Sequence, residues 1–354
     1  VILGTATPSL ESYFAAMEAR YKKIELPERI DNHPMPPVEI VDMRLERKGK
    51  KTHILSPLLR KEMAAALKRK EHIILLQNRR GFSTYVYCPE CGTPVQCPLC
   101  SVSFVYHAKS KLLKCRHCGE TREMPVTCNK CQNLAVKYSG TGTQKVELEM
   151  RKEYPHAAIL RLDRDVAEEG KTEKILHDFA SEKADVLLGT QMVAKGLDFA
   201  RVGVVGVVNA DTSLSIPDFR SAERTYQLLT QAAGRAGRHG LPAKVILQTS
   251  QADHYAIQAA ATYRESEFYE RELTFRKMAF YPPYCHLVEL TLESASEKKL
   301  EEAAEKFDEV LRAAIDKSVK ARGSDADGGE ADLRLLGPAP AAPYKVLGKY
   351  SLEW

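Results

Sequence analysis

Short unbroken apolar runs recur along much of this chain, and between them apolar residues return every three or four positions. The runs HIILLQ (72–77), AVKYS (135–139), AAILRLD (157–163), ADVLLGT (184–190), VGVVGVVNA (202–210) and AKVILQTS (243–250) lack polar alternation, which predicts strands buried on both faces. Helical periodicity fills the gaps. Ser56-Pro57 opens a helix with Leu59, Met63 and Leu67 on one face, and GTGTQKVELEMRKEY (140–154), KTEKILHDFA (171–180) and FRSAERTYQLLTQAAGR (219–235) read likewise. Strand and helix in alternation predict an α/β fold built on a parallel sheet covered on both faces.

Three stretches break that rhythm. Residues 1–4 read as a short apolar strand turning at TATPSLES into a helix capped by Thr7 or Ser9. Residues 17–52 are rich first in proline and then in Lys and Arg, the character of a crossover linker. From YPPY (281–284) onward a strand over 286–292, a helix from Glu297 to about 317, the loop RGSDADGGEAD (322–332) and two shorter strands predict a small α+β domain. The resulting division is 1–16 as the tail of one α/β unit, 17–52 as linker, 53–87 and 132–250 as the parallel-sheet lobe, 88–131 as an insertion, 251–282 as connecting helices and 283–354 as the C-terminal domain. A chain that opens in strand character and closes after KVLGKYSLEW reads as a piece cut at both ends.

Composition adds one decisive feature. Eight of nine cysteines form four CxxC hooks: Cys88/Cys91, Cys97/Cys100, Cys115/Cys118 and Cys128/Cys131. Each hook is half of a tetrahedral thiolate shell, so four make two closed, structural zinc sites. Disulfides fit less well, since paired CxxC thiols make poor rigid bridges, and iron-sulfur clusters favour uneven spacing ending in proline. The inner hooks, fourteen residues apart, look like one zinc ribbon. That favours nested pairing, with Cys88, Cys91, Cys128 and Cys131 on a first zinc and Cys97, Cys100, Cys115 and Cys118 on a second. Cys285, in an apolar stretch, is expected to be a small core residue. Phe104, Tyr106 and His107, on a hairpin strand between hooks, either pack the ribbon or stack on unpaired bases. Eight bound thiolates and two zinc ions bring the formal net charge from +5 to about +1, so bulk charge says little about nucleic acid. The longest apolar run, 202–208, is too short to span a bilayer.

QAAGRAGR (231–238) carries the sharpest chemistry. Two arginines three apart, expected at neighbouring positions on one helical turn, can fork onto phosphate oxygens, with Gly234 and Gly237 admitting a close surface. A capped helix terminus is the plainer alternative. LLGTQMVAKGLDF (187–199) places Thr190, Gln191, Lys195 and Asp198 at the carboxyl end of a buried strand, where α/β sheets bind ligands. The basic run RLERKGKK (44–51) and Arg79/Arg80 suit a phosphate backbone, though a solvated loop is the commoner meaning of such a run.

In this order the motifs resemble those of superfamily 2 DNA helicases, and among them the replication-restart PriA family. GTATPS (4–9) is similar to helicase motif III, NRRG (78–81) to motif IV, 189–199 to motif V and 231–238 to motif VI. LPERIDNHPMPPVEIVDMR (26–44), the eight-cysteine insertion, RSAERTYQLLTQAAGRAGR (220–238), YPPY and LGPAPA (336–341) are features that separate that family from other helicases. The resemblance implies a RecA-like lobe with an inserted two-zinc ribbon. It implies Arg235 and Arg238 as arginine fingers on ATP, Gln231 near the γ-phosphate, Gly196 and Asp198 at the nucleotide, and Thr5 and Thr7 coupling hydrolysis to lobe movement. Arg79, Arg80 and Thr190 would touch DNA. It also implies nested zincs, ATP with Mg2+, 3′ to 5′ movement, forked and single-stranded DNA, single-stranded-DNA-binding protein, PriB or DnaT as partners, and a bacterial cytoplasmic, nucleoid-associated location. No GxxxxGK[ST] loop and no DExH-type motif occurs in the 354 residues, so this chain alone is expected to be inactive as an ATPase. Two other classes stay open: a zinc-ribbon module that recruits proteins on an α/β scaffold, and a transferase whose GTGT turn cradles phosphate.

Overall fold

The structure, a computed structural model, describes residues 1–26, 34–46, 53–77, 85–87, 95–99, 104–107, 112–115, 119–125, 127–128, 131–132, 137–139, 143–163, 166–167, 170–194, 199–214, 218–321 and 333–354. They fall into two compact units, one of 1–83 with 141–286 and one of 84–140 with 287–354.

The first unit is built on a six-stranded parallel sheet. Its strands are β1 (Val38–Asp42), β2 (His72–Leu76), β8 (Ile159–Leu162), β9 (Val186–Gly189), β10 (Val202–Val207) and β11 (Lys244–Thr249), in spatial order β1-β11-β10-β2-β9-β8. β2, β9 and β10 are buried throughout, as their continuous apolar runs require. One face is covered by α3 (Pro57–Lys68) and α4 (Thr143–Glu153), through Leu59, Met63, Val146 and Met150. The other is covered by α5 (Thr172–Ala180), α6 (Ser221–Ala233), α7 (Tyr255–Thr262) and α8 (Glu265–Met278), through Phe179, Tyr226, Leu229, Ile257 and Phe268. Ser56 caps α3 by accepting from Leu59 N at 3.2 Å, with Pro57 in the first turn.

The 17–52 stretch is more than a crossover. Its VEIVD segment pairs in parallel register with β11, Val38 opposite Val245 through Asp42 opposite Thr249, forms the sheet's edge, and runs into the short helix α2 (Met43–Glu46). Pro36 and Pro37 stand immediately before β1 and cost it no ladder bond: Val245 N donates to the Pro37 carbonyl at 3.0 Å, and β1 has a neighbour on one side only. Residues 1–4 form no strand: Val1, Ile2 and Leu3 are exposed and pair with no strand among the described residues. The helix that follows, α1 (Leu10–Met17), is capped by Ser9, whose hydroxyl accepts from Ser12 N at 3.2 Å, and Leu10 is buried in the same core as α6 and α8.

The second unit holds two antiparallel sheets. β3 (Tyr85–Tyr87), β4 (Val105–His107), β5 (Leu112–Lys114), β6 (Thr121–Glu123) and β7 (Lys137–Ser139) run in spatial order β6-β5-β4-β3-β7. The expected parallel strand in AVKYS is thus β7, antiparallel to β3, and it extends the insertion's own sheet. The C-terminal sheet has the order β12-β14-β13, from β12 (Thr291–Ser294), β13 (Ala339–Val346) and β14 (Lys349–Glu353), with α9 (Glu297–Ala321) contributing Leu300 and Ala304 to its packed side. The strand expected over 286–292 begins only at Thr291, since Leu287 and Val288 are exposed and unpaired in the ladder. Cys285 is half-buried, its thiol directed to the Phe280 carbonyl at 2.8 Å, and is not a core residue.

Candidate nucleotide and nucleic-acid edge, and the cysteine cluster

β2 and β9 are neighbours, so the segments leaving their carboxyl ends start side by side, linked by Gln77 N donating to Gly189 O at 2.8 Å. Gln77 leads toward Arg79 and Arg80, which lie outside the described residues. Gly189 leads into Thr190, half-buried, and a 3-10 turn at Gln191–Ala194, where Val193 N donates to Thr190 O at 3.0 Å. Gly196 and Asp198 also lie outside the described residues. At Gly189 an added Cβ would stand 2.3 Å from the Leu162 carbonyl oxygen and 2.5 Å from a Val193 methyl. Glycine is therefore demanded by the close passage of β8 and the turn over β9. Gly189→Ala is expected to lower unfolding free energy by about 1–3 kcal/mol, read by urea denaturation. An unchanged midpoint would show that the turn relaxes freely. Beside this edge, a cavity of about 320 Å³ lies where β1, β2, β10 and β11 end, lined among others by His53, Lys145, Asn209 and Asp211.

The arginines are placed differently from the expectation of a shared helical turn. α6 ends at Ala233, Arg235 lies in the turn beyond it, and Arg238 opens a 3-10 turn at Arg238–Gly240. Between them Gly237 adopts φ +66°, which redirects the chain. A Cβ there would meet nothing nearer than 3.5 Å, so Gly237 serves conformation and not close approach. Both arginines are half-buried. Arg235 Nε donates to the Ala194 carbonyl at 3.0 Å and Arg238 Nε to that of Gly234 at 3.2 Å. The former bond joins the end of the 191–194 turn to the segment after α6.

One face of α6 meets the 5–10 segment. Gln231 Nε2 donates to Thr7 Oγ1 at 3.3 Å, Gln227 Nε2 to the Pro8 carbonyl at 3.3 Å, and Glu223 Oε1 accepts from Leu10 N at 3.0 Å. Thr5 Oγ1 accepts from Thr7 N at 3.1 Å, which tightens the turn. Sequence reasoning singled out Gln231, Thr5 and Thr7 but missed Glu223 and Gln227; their spacing of four before Gln231 was the available signal. In the GTGT turn, 140–142 lie outside the described residues, while Thr143 is fully buried with its hydroxyl donating to Asp163 at 2.6 Å, an anchor for α4.

In the second unit Cys97 and Cys115, each 1% exposed, share a small core with Phe104 and Leu113, flanked by Val95, Met124 and Val346. Phe104 thus packs the ribbon. Gly119, at φ +77°, donates its N–H to Cys115 O at 3.1 Å. Cys128 is buried and Cys131 exposed, and Gln132 N donates to Cys128 O at 2.9 Å. Cys88, Cys91, Cys100 and Cys118 lie outside the described residues. Among the described residues no group of three potential metal ligands assembles. The donors that are described fit zinc: soft thiols, two of them sharing a core too small to be stable without a cross-link.

Comparison with known proteins agrees with this layout. A family model described as the helicase conserved C-terminal domain matches residues 110–240, and one described as the PriA DNA helicase Cys-rich region domain matches 97–122. The replication restart protein PriA of Bacillus subtilis is 41% identical over 100% of this chain and 42% of the relative; that of Synechocystis is 38% identical over 99% and 42%. The Chlamydia pneumoniae protein is 37% identical over 88% and 42%. The chain therefore spans about two fifths of the length of these relatives. Among solved structures, Saccharomyces cerevisiae Dbp5 bound to RNA and ADP BeF3 superposes with a TM-score of 0.37 at 11% identity over 77% of this chain and 53% of that one, a likeness too weak to carry inference. No described helix is long and apolar enough to cross a membrane. With relatives at this identity along its whole length and its cysteine insertion matched in place, the chain belongs to the replication restart PriA family.

Proposed function

We propose that this chain is the arginine-bearing part of an ATP-driven DNA helicase that engages forked and single-stranded DNA and restarts stalled replication. The observation that carries the reading is the meeting of three motif segments in one unit: Arg235 bonds the 191–194 turn, and Gln231, four residues earlier, bonds Thr7. A movement of the 5–10 segment is thereby passed to the arginines. Arg235 and Arg238 neutralise charge developing on the γ-phosphate of ATP, which is held with Mg2+ by a phosphate-loop lobe that these residues do not include. Gln231 orients the attacking water, and Gly196 and Asp198 line the nucleotide. Thr190, Arg79 and Arg80 follow the phosphates of a strand drawn along the carboxyl edge of β2 and β9, moving 3′ to 5′.

Cys88, Cys91, Cys128 and Cys131 hold one zinc and Cys97, Cys100, Cys115 and Cys118 another; the ions supply cross-links to the insertion and take no part in hydrolysis. Single-stranded-DNA-binding protein and primosome proteins such as PriB or DnaT are the partners this reading names, in the bacterial cytoplasm at the nucleoid. The test compares ATP hydrolysis with and without single-stranded DNA. Full-length protein is expected to show DNA-stimulated turnover and the 354-residue chain none. Turnover by the purified chain would overturn the assignment.

A further inference from the structure

The first unit buries a cluster of charges that the motor reading has not used. Arg276, on α8, is 0% exposed. Its Nη2 donates to Glu223 Oε2 at 2.7 Å, its Nε to Glu272 Oε1 at 3.1 Å and its Nη1 to the Pro282 carbonyl at 3.1 Å, with Glu11 Oε1 3.9 Å away. Glu223 and Glu272 are buried as well. Their second oxygens are also occupied: Glu223 Oε1 by Leu10 N and Gln227 Nε2, Glu272 Oε2 by the Tyr255 hydroxyl. Burial, together with that bond, pushes the Tyr255 phenol up, so it remains a donor. Glu11 is bound by Arg220 at 2.9 Å, and the Phe219 ring lies 5.0 Å from the Arg276 guanidinium.

Five chain segments converge here: the start of α1, α6, α7, α8 and the 281–284 turn. Stability alone does not call for such a cluster, because apolar residues of similar volume fill a buried site at least as well. Its geometry does serve register. Glu223, Gln227 and Gln231 follow at intervals of four along α6, and all three hold the 7–10 segment. Arg276 fixes the foot of that stripe, and Tyr269, two turns earlier on the same face of α8, donates to the Pro8 carbonyl at 2.7 Å.

We propose that Arg276 is a positioning residue of the motor: by fixing Glu223 it holds residues 7–10 in register on α6, so that the 5–10 segment and the arginines beyond Ala233 move as one piece. This rests on the reading under Proposed function. The fork of the guanidinium is essential, since it bonds two carboxylates and a carbonyl in one plane.

The test uses full-length protein. Arg276→Met alone strands two buried carboxylates and is a poor probe. The variant Arg276→Met/Glu223→Gln/Glu272→Gln removes the three buried charges together while keeping shape, and Glu223→Gln alone keeps an acceptor for Leu10 N. Both are compared with Arg276→Lys for folding by circular dichroism, for DNA affinity, and for KM and kcat of DNA-stimulated hydrolysis. The triple variant is expected to fold, to keep DNA affinity and KM for ATP, and to lose kcat by about tenfold or more. Glu223→Gln should lose less in the same parameter, and Arg276→Lys should recover only part. A folded triple or Glu223→Gln variant with kcat within about twofold of the unsubstituted protein reduces the cluster to packing and overturns the proposal. Absence of stimulated hydrolysis in the unsubstituted protein would instead remove the motor reading, and this inference with it.

Discussion

Arg238→Ala in full-length protein is expected to lower DNA-stimulated ATP turnover by about three orders of magnitude or more, the range over which an arginine finger acts in phosphoryl transfer. The effect should fall on kcat. DNA affinity should stay close to that of the unsubstituted protein, because the proposed strand contacts leave from β2 and β9 and Arg238 follows α6. Arg238→Lys should recover little, since an ammonium replaces a planar fork by a point charge. Arg235→Ala should be as severe and carry a second defect, the lost bond to Ala194. Steady-state hydrolysis alongside fluorescence anisotropy on labelled DNA separates the two quantities. Turnover within about tenfold of the unsubstituted protein would remove the finger role from Arg238.

The second large effect concerns metal. Stripping zinc, or replacing Cys115 by Ser, is expected to unfold the ribbon, because structural zinc contributes about 10–16 kcal/mol in small domains with no other core. The apolar group around Cys97 and Cys115 comprises Phe104 and Leu113 with three partly buried neighbours, far too little to replace that energy. The loss should spread into the C-terminal sheet. Val346 of β13 packs on the cysteine core, and Gly348 N donates to the Leu99 carbonyl at 2.8 Å. The lone tryptophan makes this visible: Trp354 is 9% exposed, sits on the Phe307 ring and donates to Asp308 at 3.1 Å. Chelator titration followed by zinc release and by Trp354 emission should show the two changing together. Emission that stays constant while zinc leaves would confine the metal's effect to the ribbon.

What the chain's pattern disclosed is explained by which interactions are local. HIILL, VLLG, VGVVGV and KVILQT declare themselves as buried strands by composition alone, and CxxC spacing declares a thiolate turn. The edge strand at Val38–Asp42 was hidden by its prolines, whose meaning depends on whether a neighbour stands on both sides. AVKYS was given to the wrong sheet because a three-residue strand carries no mark of its partner. The arginines were assigned to one helical turn, although Gly237, left-handed in the structure, already separated them. Least legible was Arg276. In ESEFYERELTFRKM it looks like any solvated cation of an amphipathic helix, and only the distant Glu223 and the carbonyl of Pro282 show otherwise.

The edge strand has a mechanical consequence. Tension reaching Val38 from its amino-terminal side runs along β1, whose five paired residues lie parallel to β11 and bond sideways to it. Such a seam is loaded in shear, all its bonds resisting at once like a lap joint, whereas a perpendicular tug would peel them open singly. A segment joined to a sheet in that way can be hauled on repeatedly without the joint creeping.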